Sequence, residues 1–262
     1  MHKLLLLFFS LGWVCLAASA QVNTAYNPRA HSHNDYKQPA PFTAAWQQGF
    51  GSIEADIYWV DGLLLVAHDQ QELAAGKQLD SLYLLPLNEI ITWFKGNPYA
   101  DSSQQLQLLI DIKSDAKTTL AAFVDMLKKY PALTNCKKLR IVISGNRPSP
   151  DTYKTYPSYL FFDGEFDKKY SEAAWARIPM ISTNFQDWFK WNGIGPISPD
   201  EQKTLDSLVS FAHNRQKKMR LWNAPDMLPC WKLLLDADVD YINTDQIEAL
   251  GDFFKTYKVG GR

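Results

Sequence analysis

The chain has 262 residues, of which 46% are hydrophobic, and its 27 basic and 28 acidic side chains leave a formal net charge of −1. This balance, without a polybasic run, argues against nucleic acid as a partner. The length and composition suit one sizeable core, and no linker or low-complexity stretch divides the sequence.

The first residues have the pattern of a secretory signal peptide. A basic start at Lys3 precedes the uncharged run Leu4–Leu16, and the small residues Ala18-Ser19-Ala20 follow. The run is too short to span a bilayer. We therefore predict a signal peptide over residues 1–20, cleavage after Ala20, and a secreted or periplasmic chain of residues 21–262 without a transmembrane segment.

Cys136 and Cys230 are the cysteines that remain after such cleavage. In an oxidising compartment they can pair, or they can be two buried thiols. The second interpretation is slightly favoured, because a chain of this length needs no disulfide to fold.

Apolar, β-branched runs alternate with segments of helical period along the chain. The predicted strands are Arg29–Ser32, Ser52–Tyr58, Leu106–Ile112, Leu139–Ser144, Tyr159–Asp163, Ile178–Ser182, Met219–Trp222 and Tyr241–Thr244, with a short run, Leu63–Ala67, paired across the Asp61-Gly62 turn. The predicted helices are Phe42–Gln48, Leu87–Phe94, Lys117–Lys129, Pro199–Gln216, Pro229–Leu235 and Ile247–Tyr257.

This alternation predicts an α/β fold, a (β/α)8 TIM barrel forming a single domain. Several of the intervening helices are short or missing, so the barrel is expected to be distorted. The alternative is an open doubly wound sheet, but no Gly-rich phosphate loop follows the first strand.

Acidic side chains stand at the ends of two predicted strands. Glu54 and Asp56 are two positions apart and therefore point to the same face, and Asp111 ends the apolar run Leu108–Ile110. Three carboxylates converging at the carboxyl ends of barrel strands would repel one another unless a cation lies between them. Hard oxygen ligands of this kind suit Mg²⁺ or Ca²⁺, and the sequence does not decide between the two ions. Asn146, Asn184 and Asp245 also follow strands, and we expect them to be ordinary turn residues.

Histidines flank the acidic cluster. His33 and His68 are the candidates for general acid and base, because imidazole titrates near neutral pH. Asp69 either orients His68 or caps a turn, and His31 is expected to be a structural histidine or a partner of a metal ligand. Lys113 is a candidate phosphate ligand. Asn34 either binds phosphate or shapes its loop.

The combined pattern resembles the phosphatidylinositol phospholipase C-like phosphodiesterase superfamily, which includes the glycerophosphodiester phosphodiesterases and sphingomyelinase D-type enzymes. The matching elements are His33, Glu54-Ala-Asp56, Asp61-Gly62 with His68-Asp69, and Asp111-Ile-Lys113. The similarity is greater to an uncharacterised branch that contains the fungal altered-inheritance-of-mitochondria proteins. Its hallmarks are His31-Ser-His-Asn-Asp-Tyr36, Ile110-Asp-Ile-Lys-Ser-Asp115, Ser144-Gly-Asn146, Arg220-Leu-Trp222 and Asn243-Thr-Asp245.

This resemblance implies a TIM barrel, one Mg²⁺ or Ca²⁺ and acid/base catalysis by two histidines, with Trp222 among the substrate-binding residues. The chain departs from the glycerophosphodiesterase pattern, whose first motif is His-Arg-Gly followed by Glu-Asn-Thr. Here the residues are His33-Asn34-Asp35 and Pro41-Phe42-Thr43. The substrate is therefore expected to be a phosphodiester, lipid or soluble, whose head group the sequence leaves open.

Two other functions remain as alternatives. The aromatic segment 184–193 would serve a non-catalytic secreted barrel that binds lipid or glycan. The His31-Ser-His33 motif would open a metal-dependent amidohydrolase-like barrel, although later strands lack the further histidines that such sites need. The sequence leaves the oligomeric state open.

Overall fold

Eight parallel strands form a nearly closed barrel in the computed structural model, which describes residues 26–257. A ninth strand, β3, pairs antiparallel with β2 beyond the barrel. The strands are β1 Asn27–Ser32, β2 Phe50–Val60, β3 Leu63–Val66, β4 Leu106–Ile112, β5 Leu139–Gly145, β6 Leu160–Phe162, β7 Met180–Asn184, β8 Lys218–Trp222 and β9 Tyr241–Thr244.

The order of hydrogen-bonded strands is β6-β5-β4-β2-β1-β9-β8-β7. The two ends of this path meet through a single parallel bridge between Gly164 and Ile181, just beyond the three-residue strand β6. Closure therefore depends on backbone bonds such as that from the Gly164 amide to the Met180 carbonyl at 2.9 Å. The barrel is least regular at this seam.

Helices cover the outside of the barrel. They are α1 Thr43–Gln47, α2 Leu85–Trp93, α3 Ala116–Leu127, α4 Pro131–Asn135, α5 Glu172–Trp175, α6 Pro199–His213, α7 Leu228–Asp236 and α8 Ile247–Thr256, with a π-helical turn at Asp80–Leu84 before α2. Within the part of the chain that the structure describes, every helix is too short or too polar to cross a membrane.

Successive side chains of each strand point to opposite faces of the sheet, so they pack in two separate cores. On β4, Leu108 and Ile110 belong to the large core shared with the helices, whereas Leu109 packs with Val142 and Met180 in a small cluster. Their strand positions place that cluster inside the barrel. Polar side chains fill the rest of the barrel interior. They form the site described below.

The sequence prediction placed all nine strands correctly to within about two residues. The short helices α4 and α5 were not predicted, because four or five residues carry too little periodicity to be recognised. Cys136 and Cys230 are both buried and free. The predicted signal peptide lies outside the described residues.

Candidate active site

The register between β2 and β4 brings the predicted acidic residues together. Asp56 is paired with Asp111, and Glu54 precedes Asp56 on the same face of β2. One carboxylate oxygen from each of the three residues lies within 4.8 Å of the other two. The sequence-predicted cluster is thus a single group of carboxylates drawn from two neighbouring strands.

This cluster fits a divalent cation. Asp56 Oδ1 and Asp111 Oδ1 are buried, and neither accepts a hydrogen bond from any residue in 26–257. The Lys113 ammonium lies 3.0 Å from Asp56 Oδ2 and 3.2 Å from Asp111 Oδ1, so one positive charge faces two of the three carboxylates. Buried oxygens without donors are costly, and an ion that accepts them as ligands removes that cost.

The pKa of Asp56 shows the same excess of negative charge. Burial raises it, and the neighbouring Glu54 and Asp111 carboxylates raise it further, to about 8. Lys113 and the Tyr36 hydroxyl, 2.8 Å from Asp56 Oδ2, oppose this shift without cancelling it. The cluster therefore has more negative charge than its neighbours balance, and a bound cation would supply the missing positive charge.

Space for the cluster depends on a glycine at the end of β5. Gly145 has φ of +67°, and a Cβ built on it would lie 2.1 Å from Asp111 Oδ1. On the other side, the Ser144 hydroxyl donates to Asp111 Oδ2 at 2.9 Å. The missing side chain of Gly145 thus leaves room for Asp111 Oδ1 beside the end of β5, while Ser144 holds the other oxygen.

Glu54 is held ionised by a buried arginine from the opposite side of the barrel. Arg220 is 3% exposed, and its Nη2 donates to Glu54 Oε2 at 2.5 Å. Burial alone would raise the pKa of Glu54, but Arg220 and the His31 hydrogen bond together lower it below its ordinary value. Glu54 is therefore an anionic ligand at neutral pH.

A chain of buried hydrogen bonds fixes the tautomer of His31. Glu54 is ionised and can only accept, so His31 Nε2–H donates to Glu54 Oε2 at 2.8 Å. The other nitrogen of the neutral ring, Nδ1, then accepts from the Ser52 hydroxyl at 2.7 Å, and Ser52 Oγ accepts in turn from Gln107 Nε2 at 3.0 Å. Burial and the Arg220 charge lower the pKa of His31 to about 4, which keeps the ring neutral. The contacts of His31 are thus those of a residue that positions Glu54.

His33 and His68 line one cavity of about 640 Å³ together with Glu54 and Asp111. His33 Nδ1 lies 2.9 Å from Asp245 Oδ1. Burial lowers the pKa of His33, but the hydrogen bond to Asp245 and the charge of Glu54 outweigh burial and raise it overall. Asp245 is therefore more than the turn residue expected from the sequence.

The His68 side chain is exposed, and among residues 26–257 its imidazole makes no hydrogen bond. Asp69 does not orient it. Asp69 Oδ1 instead accepts from the backbone N–H groups of Gln71 and Glu72, which is the capping alternative. His68 is left free to contact a bound molecule.

Lys113 and Trp222 also line the cavity, whereas Asn34 does not. Asn34 has a left-handed backbone with φ of 46°, and its Oδ1 lies 2.7 Å from the Tyr36 hydroxyl. This geometry favours the loop-shaping interpretation of Asn34 over phosphate binding.

Both ring nitrogens of His31 are occupied by Ser52 and Glu54. The group of candidate metal ligands found among the described residues contains carboxylates only. The geometry thus gives no support to an H-x-H metal site shared by His31 and His33.

Asp163 is a buried carboxyl in the cavity wall that the sequence prediction gave no role. Its Oδ1 accepts from the Ser182 hydroxyl at 2.9 Å, and burial raises its pKa to about 6 despite the nearby Arg147 and Arg220 charges. A raised carboxyl pKa means that the folded protein is penalised once Asp163 ionises. The penalty is absent below the unfolded-state pKa of about 4 and complete above about pH 6.

Asp163→Asn should therefore raise the thermal midpoint at pH 8 and leave it unchanged at pH 4. The gain at pH 8 should be on the order of 2 kcal/mol, since the shift in pKa is about 2 units. Thermal unfolding in EDTA at the two pH values measures this difference, with the exposed Asp151→Asn as control. An equal change at both pH values would show that Asp163 is not titrating as described.

Arg220 is the site residue whose contact the sequence analysis missed. The sequence did contain an indication of a buried charge, because an arginine between Met219 and Leu221 interrupts an otherwise apolar predicted strand. A charged side chain at an inward strand position requires a buried partner of opposite charge. The partner is 166 positions away, so only closure of the barrel identifies it as Glu54.

Comparison with known proteins identifies similar sequences and folds. Residues 20–136 match the model of the AIM6-like phosphodiesterase domain. The predicted resemblance is confirmed. That AIM6-like segment contains His33, Glu54, Asp56, His68 and Asp111, which are the proposed metal ligands and the two histidines of the cavity.

Relatives and solved structures extend the similarity over most of the chain. Altered inheritance of mitochondria protein 6 of Eremothecium gossypii is 29% identical, over 86% of this chain and 69% of its own length. The homologue from Arthroderma benhamiae is 24% identical, over 86% of this chain and 83% of its own length. A glycerophosphodiester phosphodiesterase from Parabacteroides distasonis superimposes with a TM-score of 0.53 at 15% identity, over 87% of this chain and 97% of that protein. At this identity the structural likeness shows a shared fold.

Proposed function

We propose that this protein is a secreted, metal-dependent phosphoric diester hydrolase. The observation that carries the proposal is the convergence of Glu54, Asp56 and Asp111 beside a cavity lined by two histidines, with Asp56 Oδ1 buried and without a hydrogen-bond donor among residues 26–257. The phosphodiesterase domain match and the fold shared with glycerophosphodiester phosphodiesterases support the same reaction class. Secretion rests on the signal-like sequence of residues 1–20.

The three carboxylates would hold one Mg²⁺ or Ca²⁺, which supplies positive charge for a phosphoryl oxygen. Lys113 adds a second positive charge at the same edge of the cluster. The ammonium lies within 3.2 Å of Asp56 and Asp111, and its side chain lines the cavity, so it can bind a phosphate oxygen as a point charge.

The two histidines divide the proton transfers. His33, whose pKa is raised and whose Nδ1 faces Asp245, holds the proton that the leaving oxygen requires. His68, whose exposed imidazole makes no hydrogen bond among the described residues, accepts a proton from the water that attacks phosphorus as the bond to the leaving oxygen breaks. Each transfer contributes roughly 10²–10⁴-fold to the rate in enzymes of this kind.

The proposed function is tested with bis-p-nitrophenyl phosphate as a model diester. We expect release of p-nitrophenol in Mg²⁺ or Ca²⁺, loss of activity in EDTA, and recovery when the ion is restored. Undiminished hydrolysis in EDTA would contradict metal dependence. A folded protein that hydrolyses no phosphodiester but binds phospholipid vesicles or glycans would favour the non-catalytic alternative.

His68→Ala should lower kcat for this diester by about 10²-fold or more, because the attacking water loses its proton acceptor. Initial rates at saturating metal measure the effect. His213→Ala is the control, since His213 ends α6 outside the cavity, and it should retain the wild-type rate. Equal rates for His68→Ala and wild type would remove His68 from the mechanism.

A further inference from the structure

We propose that Gln107, in the amino-terminal half of the barrel interior, is a positioning residue for the metal ligand Glu54. Gln107 neither lines the cavity nor hydrogen-bonds to Glu54, and it acts through a chain of hydrogen bonds that runs along the inside of the barrel in one direction. The inference rests on the proposed function for its consequence at the metal, and it adds a residue that the cation and the substrate do not touch.

The chain connects Lys218 at the amino end of the barrel to His31. Lys218, the first residue of β8, donates from Nζ to the Tyr241 hydroxyl at 3.0 Å, and Tyr241 donates to Gln107 Oε1 at 3.3 Å. Gln107 Nε2 donates to Ser52 Oγ at 3.0 Å, and Ser52 Oγ lies 2.7 Å from His31 Nδ1. The last four of these residues are at most 3% exposed, so the chain runs through an interior closed to bulk water.

Charged groups at the two ends fix the direction of the chain. An ammonium group can only donate, so the Tyr241 hydroxyl accepts from Lys218 and is left to donate to Gln107. At the other end the Glu54 carboxylate accepts from His31 Nε2–H at 2.8 Å. Every donor between these ends therefore points from the amino end of the barrel towards the metal cluster.

Gln107 is the link at which the direction could reverse, since an amide carries an acceptor and a donor side by side. Its contacts fix its orientation. The amide oxygen faces the hydroxyl that donates to it, while the nitrogen faces Ser52 and, at 3.2 Å, the sulfur of Met180, which can only accept. A reversed amide would take the Ser52 proton, and Ser52 would then have none for His31 Nδ1. Gln107 therefore determines which nitrogen of His31 carries the proton.

The end of the chain determines which oxygen of Glu54 a cation can use. His31 Nε2–H and Arg220 Nη2 both donate to Oε2, at 2.8 Å and 2.5 Å, and no residue in 26–257 donates to Oε1. Oε1 is thus the oxygen left for the cation. With the chain reversed, His31 would face Glu54 with a bare nitrogen or would take up a second proton. The first state loses a hydrogen bond to the ligand, the second adds a positive charge beside it, and both weaken metal binding.

Nitrogen-15 NMR of histidine-labelled protein in EDTA tests the chain without reference to activity. A ring nitrogen that lacks a proton resonates well downfield of one that carries a proton. The His31 signals are those that stay unchanged in single glutamine variants of the other histidines. Wild type should carry the His31 proton on Nε2 and none on Nδ1. A proton on Nδ1 of the wild-type protein would overturn the proposal, and this measurement needs no variant of Gln107.

Gln107→Glu should reverse the chain in a way that depends on pH. The protonated carboxyl donates to Ser52 as the amide does, whereas the ionised carboxyl can only accept, so Ser52 must then donate to it. We therefore expect His31 Nδ1 in this variant to gain a proton as the pH is raised from 5 to 9. An ordinary titrating histidine loses a proton over the same range. A His31 spectrum that matches wild type from pH 5 to 9 would overturn the proposal.

Two control variants separate the direction of the hydrogen bonds from packing. Gln105→Glu makes the same change at an exposed position of the same chain segment and should leave His31 as in wild type. Gln107→Met fills a similar buried volume without a polar group, so Ser52 remains free to donate and the His31 proton stays on Nε2. If Gln107→Met protonates Nδ1 as Gln107→Glu does, the effect is one of packing and the proposal is wrong.

Calorimetric titration with Mg²⁺ or Ca²⁺, whichever wild type binds, connects the chain to the metal. At pH 9 the Kd of Gln107→Glu should be about 10-fold above that of wild type, the scale of one lost hydrogen bond to a charged group, and Gln107→Met should stay within about threefold. These results without diester hydrolysis would contradict the proposed function and retain the role of Gln107. A reversed His31 with an unchanged Kd would overturn that role even in an active enzyme.

Discussion

Replacing Asp111 by asparagine should lower diester hydrolysis by about 10³-fold. The substitution keeps the size of the side chain and an oxygen near Ser144, but it removes one of the three negative charges that would hold the cation. A divalent ion contributes several kcal/mol to stabilising charge on a reacting phosphate, and each 1.36 kcal/mol is about tenfold in rate. Initial rates across a metal titration measure both the loss of rate and the weaker metal binding.

The fold should survive this substitution. Asp111→Asn removes a like charge beside Asp56, so the thermal midpoint in EDTA should be no lower than that of wild type. Asp125→Asn, on the exposed face of α3, is the control and should match wild type in rate. An Asp111→Asn enzyme with wild-type rate and metal affinity would show that the carboxylate cluster is not the metal site.

Arg220→Met should destabilise the protein by about 3–5 kcal/mol at neutral pH. The substitution leaves the Glu54 carboxylate buried without the guanidinium that now donates to it at 2.5 Å. Removing one partner of a buried ion pair has this cost because the other charge stays desolvated. Urea unfolding in EDTA measures it, and the free energy of unfolding is the quantity to compare.

Two further variants separate this cost from a loss of packing. Arg215→Met removes an exposed arginine at the end of α6 and should cost less than about 1 kcal/mol. Glu54→Gln added to Arg220→Met should restore part of the lost stability, since no charge is then left unpaired. If the double variant is as unstable as the sum of the two single variants, Arg220 acts through packing and the ion-pair account is wrong.

The local features of the site were predictable from sequence because they depend on strand period and register. Glu54 and Asp56 share a face by their spacing alone, and Asp111 follows an apolar run that could only end at the edge of a sheet. The structure places Asp111 opposite Asp56 in the register between β2 and β4. The same reasoning assigned His33 and His68 to the mouth of the barrel, where both line the cavity.

Contacts between distant strands were not predictable in this way. The pairing of Arg220 with Glu54 and of His33 with Asp245 depends on how β8 and β9 close against β1 and β2, which periodicity does not specify. Asp245 also resembles an ordinary turn residue, since strands commonly end in aspartate. Asp163 was overlooked because the sequence shows a strand end and not the burial that shifts its pKa.

The most direct test of the account is an anomalous difference map from a crystal soaked in Mn²⁺, a stand-in for the proposed ion. We expect one strong peak within about 2.0–2.6 Å of oxygens from Glu54, Asp56 and Asp111, the range for hard cations on carboxylates. A peak at the His31 and His33 imidazoles, or none near the three carboxylates at saturating Mn²⁺, would contradict it.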